Sequence, residues 1–231
     1  MIISSTSLIS DAFDTLLRLW VLCALASAFA VVVNGWCQAV AATLFGDPAP
    51  RAQGRLFGNP VRHFDPVGSI LSTMTGFGWG RAVPGNATRQ GRWPSVAIAA
   101  AGPVGNITVA FLLAAPIKAG WLSWSNPSPD SLVLVMTGGL QSGISDVVGL
   151  LVVYNLLMAV FHILPFSPLT GYRVLAALLP ASAAETHQKF QRFAPLLLVV
   201  LVSASYVLPP GLLWSTILPA AQWLGGLATG Y

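Results

Sequence analysis

Four long apolar stretches, each with few charged residues, constrain the fold of this protein. About 20 apolar residues in an α-helix cross the hydrocarbon core of a bilayer, so these stretches predict membrane-embedded helices. A further apolar run, 212–227, follows Pro209 and Pro210 and predicts either another span or a helix that lies along the membrane interface. The four main stretches are 16–45, 96–121, 144–164 and 193–208.

The composition supports a membrane protein over a soluble domain. Only 8% of the residues are charged and 55% are hydrophobic, whereas about 25% are charged in an average soluble domain. The mean hydropathy is +0.74. The predicted fold is therefore an all-α integral membrane protein, a polytopic helical bundle of four to six membrane segments in a single domain that covers residues 1–231.

The positive charges predict how the protein is oriented. Nine of the 11 Lys and Arg residues lie in 46–94 and 165–192, and two, Arg18 and Lys118, lie elsewhere. By the positive-inside rule, these basic loops face the cytoplasm, and we expect a bacterial inner membrane. The charges are scattered singly beside apolar segments, so no nucleic-acid partner is predicted. The nine residues are Arg51, Arg55, Arg62, Arg81, Arg89, Arg92, Arg173, Lys189 and Arg192.

The loop 46–94 is rich in Gly, Pro and Arg and contains one short apolar piece, 67–80. Fourteen helical residues cover roughly 21 Å, which is less than the ~30 Å hydrocarbon core. Such a half-spanning segment is tolerated at membrane depth only where it is buried in protein or faces a polar cavity. The piece is therefore predicted to form a re-entrant element that packs against the spans.

Polar side chains inside the apolar stretches are the candidates for function. Asn34 and Gln38 lie one helical turn apart on the first stretch, and Asn106, Asn155 and His162 lie on two others. Because polar residues in membrane helices often hydrogen-bond a neighbouring helix, each of them taken singly is consistent with packing.

Several motifs in series resemble the site-2 protease family of intramembrane zinc metalloproteases, in particular its compact bacterial branch. The resemblance covers residues from about 31 to 175. The motifs, in the family's order, are "GDPAPRAQGRLFGNPVRHFDPVGS" (46–69), "FGWGRAVPGN" (77–86), "AAAGPVGNI" (99–107) and "NLLMAVFHILPFSPLTGYRVL" (155–175).

The resemblance also implies where the catalytic groups of that family would stand in this protein. Its H-E-x-x-H motif falls on Asn34, Gly35 and Gln38, and the aspartate of its L-D-G motif falls on Thr170. A catalytic zinc needs imidazole or carboxylate ligands and a carboxylate that takes a proton from water. We therefore expect a degenerate family member that has no zinc cofactor and is not an enzyme, in which Asn34, Gln38 and Thr170 hydrogen-bond one another.

The favoured prediction is a scaffold or accessory subunit that contacts membrane lipids and binds another integral membrane protein or complex. The alternative within the same fold is an intramembrane metalloprotease, acting in regulated intramembrane proteolysis, with a displaced metal site at Cys37, His63 and His162. A hydroxyl nucleophile at Ser167 or Thr170 lacks an adjacent base. A transporter is disfavoured because acidic residues are scarce inside the spans.

Overall fold

The computed structural model describes residues 5–56, 59–83, 91–124, 140–180, 193–207 and 212–231, together with residues 183 and 189. Arg89, Arg192 and the Pro209–Pro210 pair of the sequence analysis lie outside these residues. The described part consists of helices and connecting loops, with no β-strand longer than one isolated bridge.

Three helices are long and apolar enough to cross a membrane. Helix α1 covers Ser5–Leu44, α4 covers Arg92–Lys118 and α5 covers Leu140–His162; their apolar portions are Leu16–Leu44, Arg92–Lys118 and Gly143–His162. The prediction of an all-helical polytopic membrane protein is confirmed. Large apolar side chains on the outer faces of the helices, which imply contact with lipid, include Leu25, Leu44, Leu112, Ile144 and Leu196.

The fourth and fifth apolar stretches form shorter helices. Helix α7 covers Ala194–Val207 and has 14 residues, or roughly 21 Å. Helix α8 covers Leu212–Thr229 and contains Pro219. Neither meets the length and hydropathy of a span among the described residues, so a further crossing of the membrane here stays a prediction.

The basic loop folds into short elements with defined ends. Helix α2 covers Ala49–Ala52, a 3-10 helix covers Pro60–His63 and α3 covers Pro66–Thr75. Asp65 caps the start of α3, since its carboxylate accepts a hydrogen bond from the backbone N–H of Gly68 at 2.9 Å.

The predicted re-entrant piece is a helix followed by a reversal of the backbone. Helix α3 is followed by its C-cap residue, Gly76. This glycine adopts φ +74°, a left-handed conformation that favours glycine. The returning backbone reaches Gly80, which forms an isolated antiparallel bridge with Phe64. Trp79 on this returning segment donates from Nε1 to the carboxylate of Asp65 at 3.1 Å. We call residues 77–82 the return segment. The hydrogen bond from Trp79 holds it against the start of α3.

Helix α4 lies at the centre of the bundle. It packs against α1, α5, α8 and the short helix α6, which covers Thr170–Leu178. Buried apolar residues from α3, α4, α5, α7 and α8 form the main core, which includes Phe77, Ala110, Phe161, Leu198 and Ile217. This arrangement brings the polar residues of α1, α4, α5 and α6 towards one another.

Candidate functional site

A series of four side-chain amides crosses three membrane helices. Gln38 donates from Nε2 to Oδ1 of Asn34 at 2.7 Å, within α1. Asn34 donates to Oδ1 of Asn106 on α4 at 2.8 Å, and Asn106 donates to Oδ1 of Asn155 on α5 at 2.8 Å. We call these four residues the amide network. All four are buried.

Helix α4 approaches α1 closely because glycines face it. A Cβ atom added at Gly102 would lie 2.7 Å from Oδ1 of Asn34, and one added at Gly105 would overlap Sγ of Cys37. These two glycines are therefore needed for the contact that places Asn34 within reach of Asn106. Cys37 packs against α4 and not towards the amides.

Thr170 does not join the amide network, contrary to the prediction. It donates from Oγ1 to the backbone carbonyl of His162 at 2.9 Å, across the turn between α5 and α6. The partner of Gln38 from α6 is instead Arg173, whose Nη1 donates to Oε1 of Gln38 at 2.8 Å. Arg173 follows Thr170 by three residues, a spacing that places both on one face of a helix. That spacing places Arg173 beside Thr170, but it does not identify Gln38 as the partner of Arg173.

His63 occupies the space next to Gly35. The side chain of His63 is 3% exposed, and a Cβ atom added at Gly35 would lie 2.7 Å from its Nδ1. This Nδ1 has no hydrogen-bond partner. Burial, and secondarily the positive charge of Arg55, lowers the pKa of His63 from its ordinary value of 6.5. The imidazole is therefore neutral at pH 7.

Arg55 holds the basic loop together. Its guanidinium donates to the backbone carbonyls of Arg62, Arg81 and Ala82, at distances between 2.6 and 3.3 Å. The side chain is 1% exposed. Because a buried charge is costly unless it is hydrogen-bonded, these three carbonyls explain how it is tolerated. These contacts anchor Arg81 and Ala82, at the end of the return segment, beside α1.

The functional residues surround a small polar cavity between α1, the return segment and α6. The volume within which the centre of a water molecule can move is about 10 Å³. This is room for roughly one water or one small group. We call it the polar cavity. Its lining residues are Asn34, Gly35, Gln38, Gly80, Arg81, Ala82, His162, Pro168, Thr170 and Arg173.

A larger, open cleft lies on the other side of His63. Its volume is about 270 Å³. Since His63 lines the cleft and also contacts Gly35 of the polar cavity, this imidazole forms part of the wall between them. The cleft is lined by Val32, Trp36, Arg55, Leu56, Asn59, Pro60 and His63.

The protein is similar to the Putative zinc metalloprotease YwhC of Bacillus subtilis (strain 168). The two are 32% identical over 184 residues, which cover 75% of this protein and 77% of the relative. The protein belongs to the site-2-protease-like family of zinc metalloproteases. No family model matches the sequence, and no solved structure matches it significantly. The relative points to a protease family, so the prediction that the protein is not an enzyme is wrong.

The family implies a zinc ion, but the residues at the positions that the resemblance assigns to its ligands do not fit one. Asn34 and Gln38 supply neutral amides whose oxygens already accept hydrogen bonds, and Thr170 is bonded to a backbone carbonyl. The cation of Arg173 lies at hydrogen-bond distance from Gln38, where it would repel a metal ion. Zinc sites in proteins require imidazole, thiolate or carboxylate ligands, and Asn34, Gln38 and Thr170 supply none of them.

The residues of the displaced metal site do not meet either. Cys37 faces Gly105 on α4, His63 faces Gly35, and His162 lines the polar cavity. In the part of the protein that the structure describes, no three His, Cys, Asp or Glu side chains are grouped so that they could hold a metal ion.

Proposed function

We propose that this site-2-protease-like protein binds a segment of another membrane protein at the polar cavity and the adjoining cleft, as an accessory subunit or a holder of membrane clients. The observation that carries the proposal is the position of a polar, incompletely hydrogen-bonded cavity beside an open cleft of about 270 Å³. Polar groups within membrane-embedded helices are costly and mark sites of function.

The same proposal places the protein in a bacterial inner membrane, with the basic loops on the cytoplasmic side, and includes no zinc. The excess of Lys and Arg in 46–94 and 165–192 supports the orientation. The neutral amides and the cation of Arg173 support a cavity that works without a metal.

Site-specific photo-crosslinking in native membranes tests the binding proposal. A photoreactive residue at Asn59, which lines the cleft, should form a covalent adduct with a defined membrane protein. The control position is Trp223 on α8, which is exposed but distant in the sequence from every residue of the cleft. Equal adducts from both positions, or none from Asn59, would overturn the proposal.

The second candidate function is proteolysis of membrane proteins, which is favoured by the name of the bacterial relative. Purified protein is incubated with a transmembrane substrate peptide, with and without a metal chelator. Chelator-sensitive cleavage, together with stoichiometric zinc in metal analysis, would establish this function and refute the zinc-free proposal.

A further inference from the structure

Three arginines lie at or near the polar cavity, and one of them, Arg81, is exposed to solvent. Arg81 and Arg173 line the cavity, and Arg55 supports the return segment that closes one side. Burial, followed by the charges of Arg81 and Arg173, lowers the pKa of Arg55. The guanidinium of Arg55 is therefore close enough to those of Arg81 and Arg173 to be repelled by them.

The acidic side chains of the loop 46–94 are Asp47 and Asp65, and both accept hydrogen bonds from other groups. The carboxylate of Asp47 accepts from the backbone N–H of Ala49 at 2.9 Å. The carboxylate of Asp65 accepts from Gly68 and from Trp79. Within the described ranges, the carboxylates of Asp47 and Asp65 bond to other groups and not to Arg55 or Arg173.

Several N–H donors around the polar cavity have no acceptor. A guanidinium carries five N–H donors, and the described partner of Arg173 is the single oxygen of Gln38. His162 is 4% exposed, and neither of its ring nitrogens makes a hydrogen bond of normal geometry, although the backbone of Gly78 lies nearby. A buried polar group without a partner is costly in free energy, so a ligand that satisfies it is favoured.

We propose that the polar cavity binds a carboxylate group, supplied by the segment of the partner protein. This inference rests on the proposed function and specifies the group that is recognised. A carboxylate matches the planar fork of a guanidinium and accepts the N–H of an imidazole. Its charge compensates the arginines, which a water molecule does not. The carboxylate comes from an Asp or Glu side chain or from the C-terminus of the partner.

Sodium formate is the probe for the test, because it is the smallest carboxylate. The purified full-length protein in detergent is titrated with formate, and the unfolding temperature is followed by the fluorescence of its eight tryptophans. Formamide, which has the same shape and no charge, is the matched control. Sodium chloride and sodium phosphate at equal ionic strength separate carboxylate binding from general salt effects.

The expected result is a saturating rise of the unfolding temperature with formate alone. Arg173→Gln should weaken formate binding by about 10- to 100-fold, because charge-assisted hydrogen bonds are lost. Arg173→Lys keeps the charge without the fork and should lie in between. Arg51→Gln, an exposed arginine of the basic loop 46–94, should leave binding unchanged.

Three outcomes would overturn the inference. They are a response to formamide equal to that to formate, saturable binding of chloride or phosphate with no preference for formate, and equal formate affinity in Arg173→Gln. If that variant does not fold, His162→Leu removes the imidazole donors and must weaken formate binding in its place.

The two sources of the carboxylate are separated with peptides of the cross-linked partner. A peptide with a free C-terminus is compared with its amide, and each Asp or Glu is replaced by Asn or Gln. Crosslinking at Asn59 without formate binding would refute the carboxylate and leave the proposed function standing. Formate binding without any crosslink would refute the proposal that the cleft binds a partner protein.

Discussion

His63 fills the space that a side chain at residue 35 would need, and this has a consequence for stability. The family resemblance places a glutamate at this position, where the protein has Gly35. With the imidazole buried against the bare α-carbon, the pocket is already close-packed. Any side chain at residue 35 must displace His63.

We expect Gly35→Ala to destabilise the protein by about 1–3 kcal/mol, because the new methyl group overlaps His63. The loss should be smaller when the substitution is made in a His63→Ala background, where the space is free. Unfolding in mixed detergent micelles measures both free energies. Gly143→Ala is the control, since no atom lies within 4 Å of a Cβ at Gly143. Equal losses from Gly35→Ala in the two backgrounds would contradict the packing.

His63 also predicts a pH dependence of stability. Its pKa is lowered in the folded protein and is near 6.5 in the unfolded state, so the unfolded state takes up a proton first as the pH falls. Stability should therefore be highest above pH 6.5 and should decrease as the pH falls from 6.5 to the lowered pKa. The unfolding temperature is measured from pH 8 to pH 5 in the wild type and in His63→Gln. An identical pH profile in the two proteins would argue against this role.

The sequence indicated some side-chain partners at this scale and not others. The i, i+4 spacing of Asn34 and Gln38 predicts their contact, and they do contact. The bond from Arg173 to Gln38 joins residues 135 positions apart. Local spacing contains no information on which face of α6 meets α1, so this partner was found only in the structure.

At the scale of helices, the amide network links α1, α4 and α5. Asn106 is its centre, since it accepts from Asn34 and donates both to Asn155 and to the backbone carbonyl of Ala30. Interhelical hydrogen bonds of this kind contribute about 0.6 kcal/mol on average and up to ~1.7 kcal/mol each. One residue therefore couples three helices.

Asn106→Ala is expected to cost about 1–3 kcal/mol in the free energy of unfolding, because it leaves buried amide groups without partners. Thr108→Ala is the matched control on the same helix. Its hydroxyl is exposed and bonds only to Val104 within α4, so the change should stay within about 0.5 kcal/mol. Equal effects of the two substitutions would show that the network does not stabilise the bundle.

Helix ends were predicted less well than helix positions. The second apolar stretch starts at residue 96, but α4 begins at Arg92, directly after Gly91 at φ +80°. Apolar composition marks the part of a helix that lipid or core requires, whereas the first turn can be polar. The ends of a helix depend on its caps and on the adjoining loop.

At the scale of the whole molecule, the distribution of charge predicts the orientation in the membrane. The loop after α1 is basic, and the turn after α4 contains few charges. By the positive-inside rule, Gln53 should lie on the cytoplasmic side and Trp121 on the opposite side. Both residues are exposed.

Single cysteines at these two positions test the orientation. In a Cys23→Ser, Cys37→Ala background, an impermeant thiol reagent added to whole cells should label Trp121→Cys and spare Gln53→Cys. Gln53→Cys should react after the cells are opened. The reverse labelling pattern would mean that the basic loops face outwards.

By itself, the sequence determined that the protein is a helical membrane protein, and its resemblance to the family predicts that neutral groups occupy the catalytic positions. Both follow from residue identity, because apolar length decides what can lie in lipid and the chemistry of the side groups decides what can bind a cation. Only the tertiary structure decided that Arg173 contacts Gln38, that His63 fills the space at Gly35 and that His162 faces the polar cavity without a hydrogen bond of normal geometry. These contacts depend on how distant helices rotate and pack, which the order of residues along one helix does not specify.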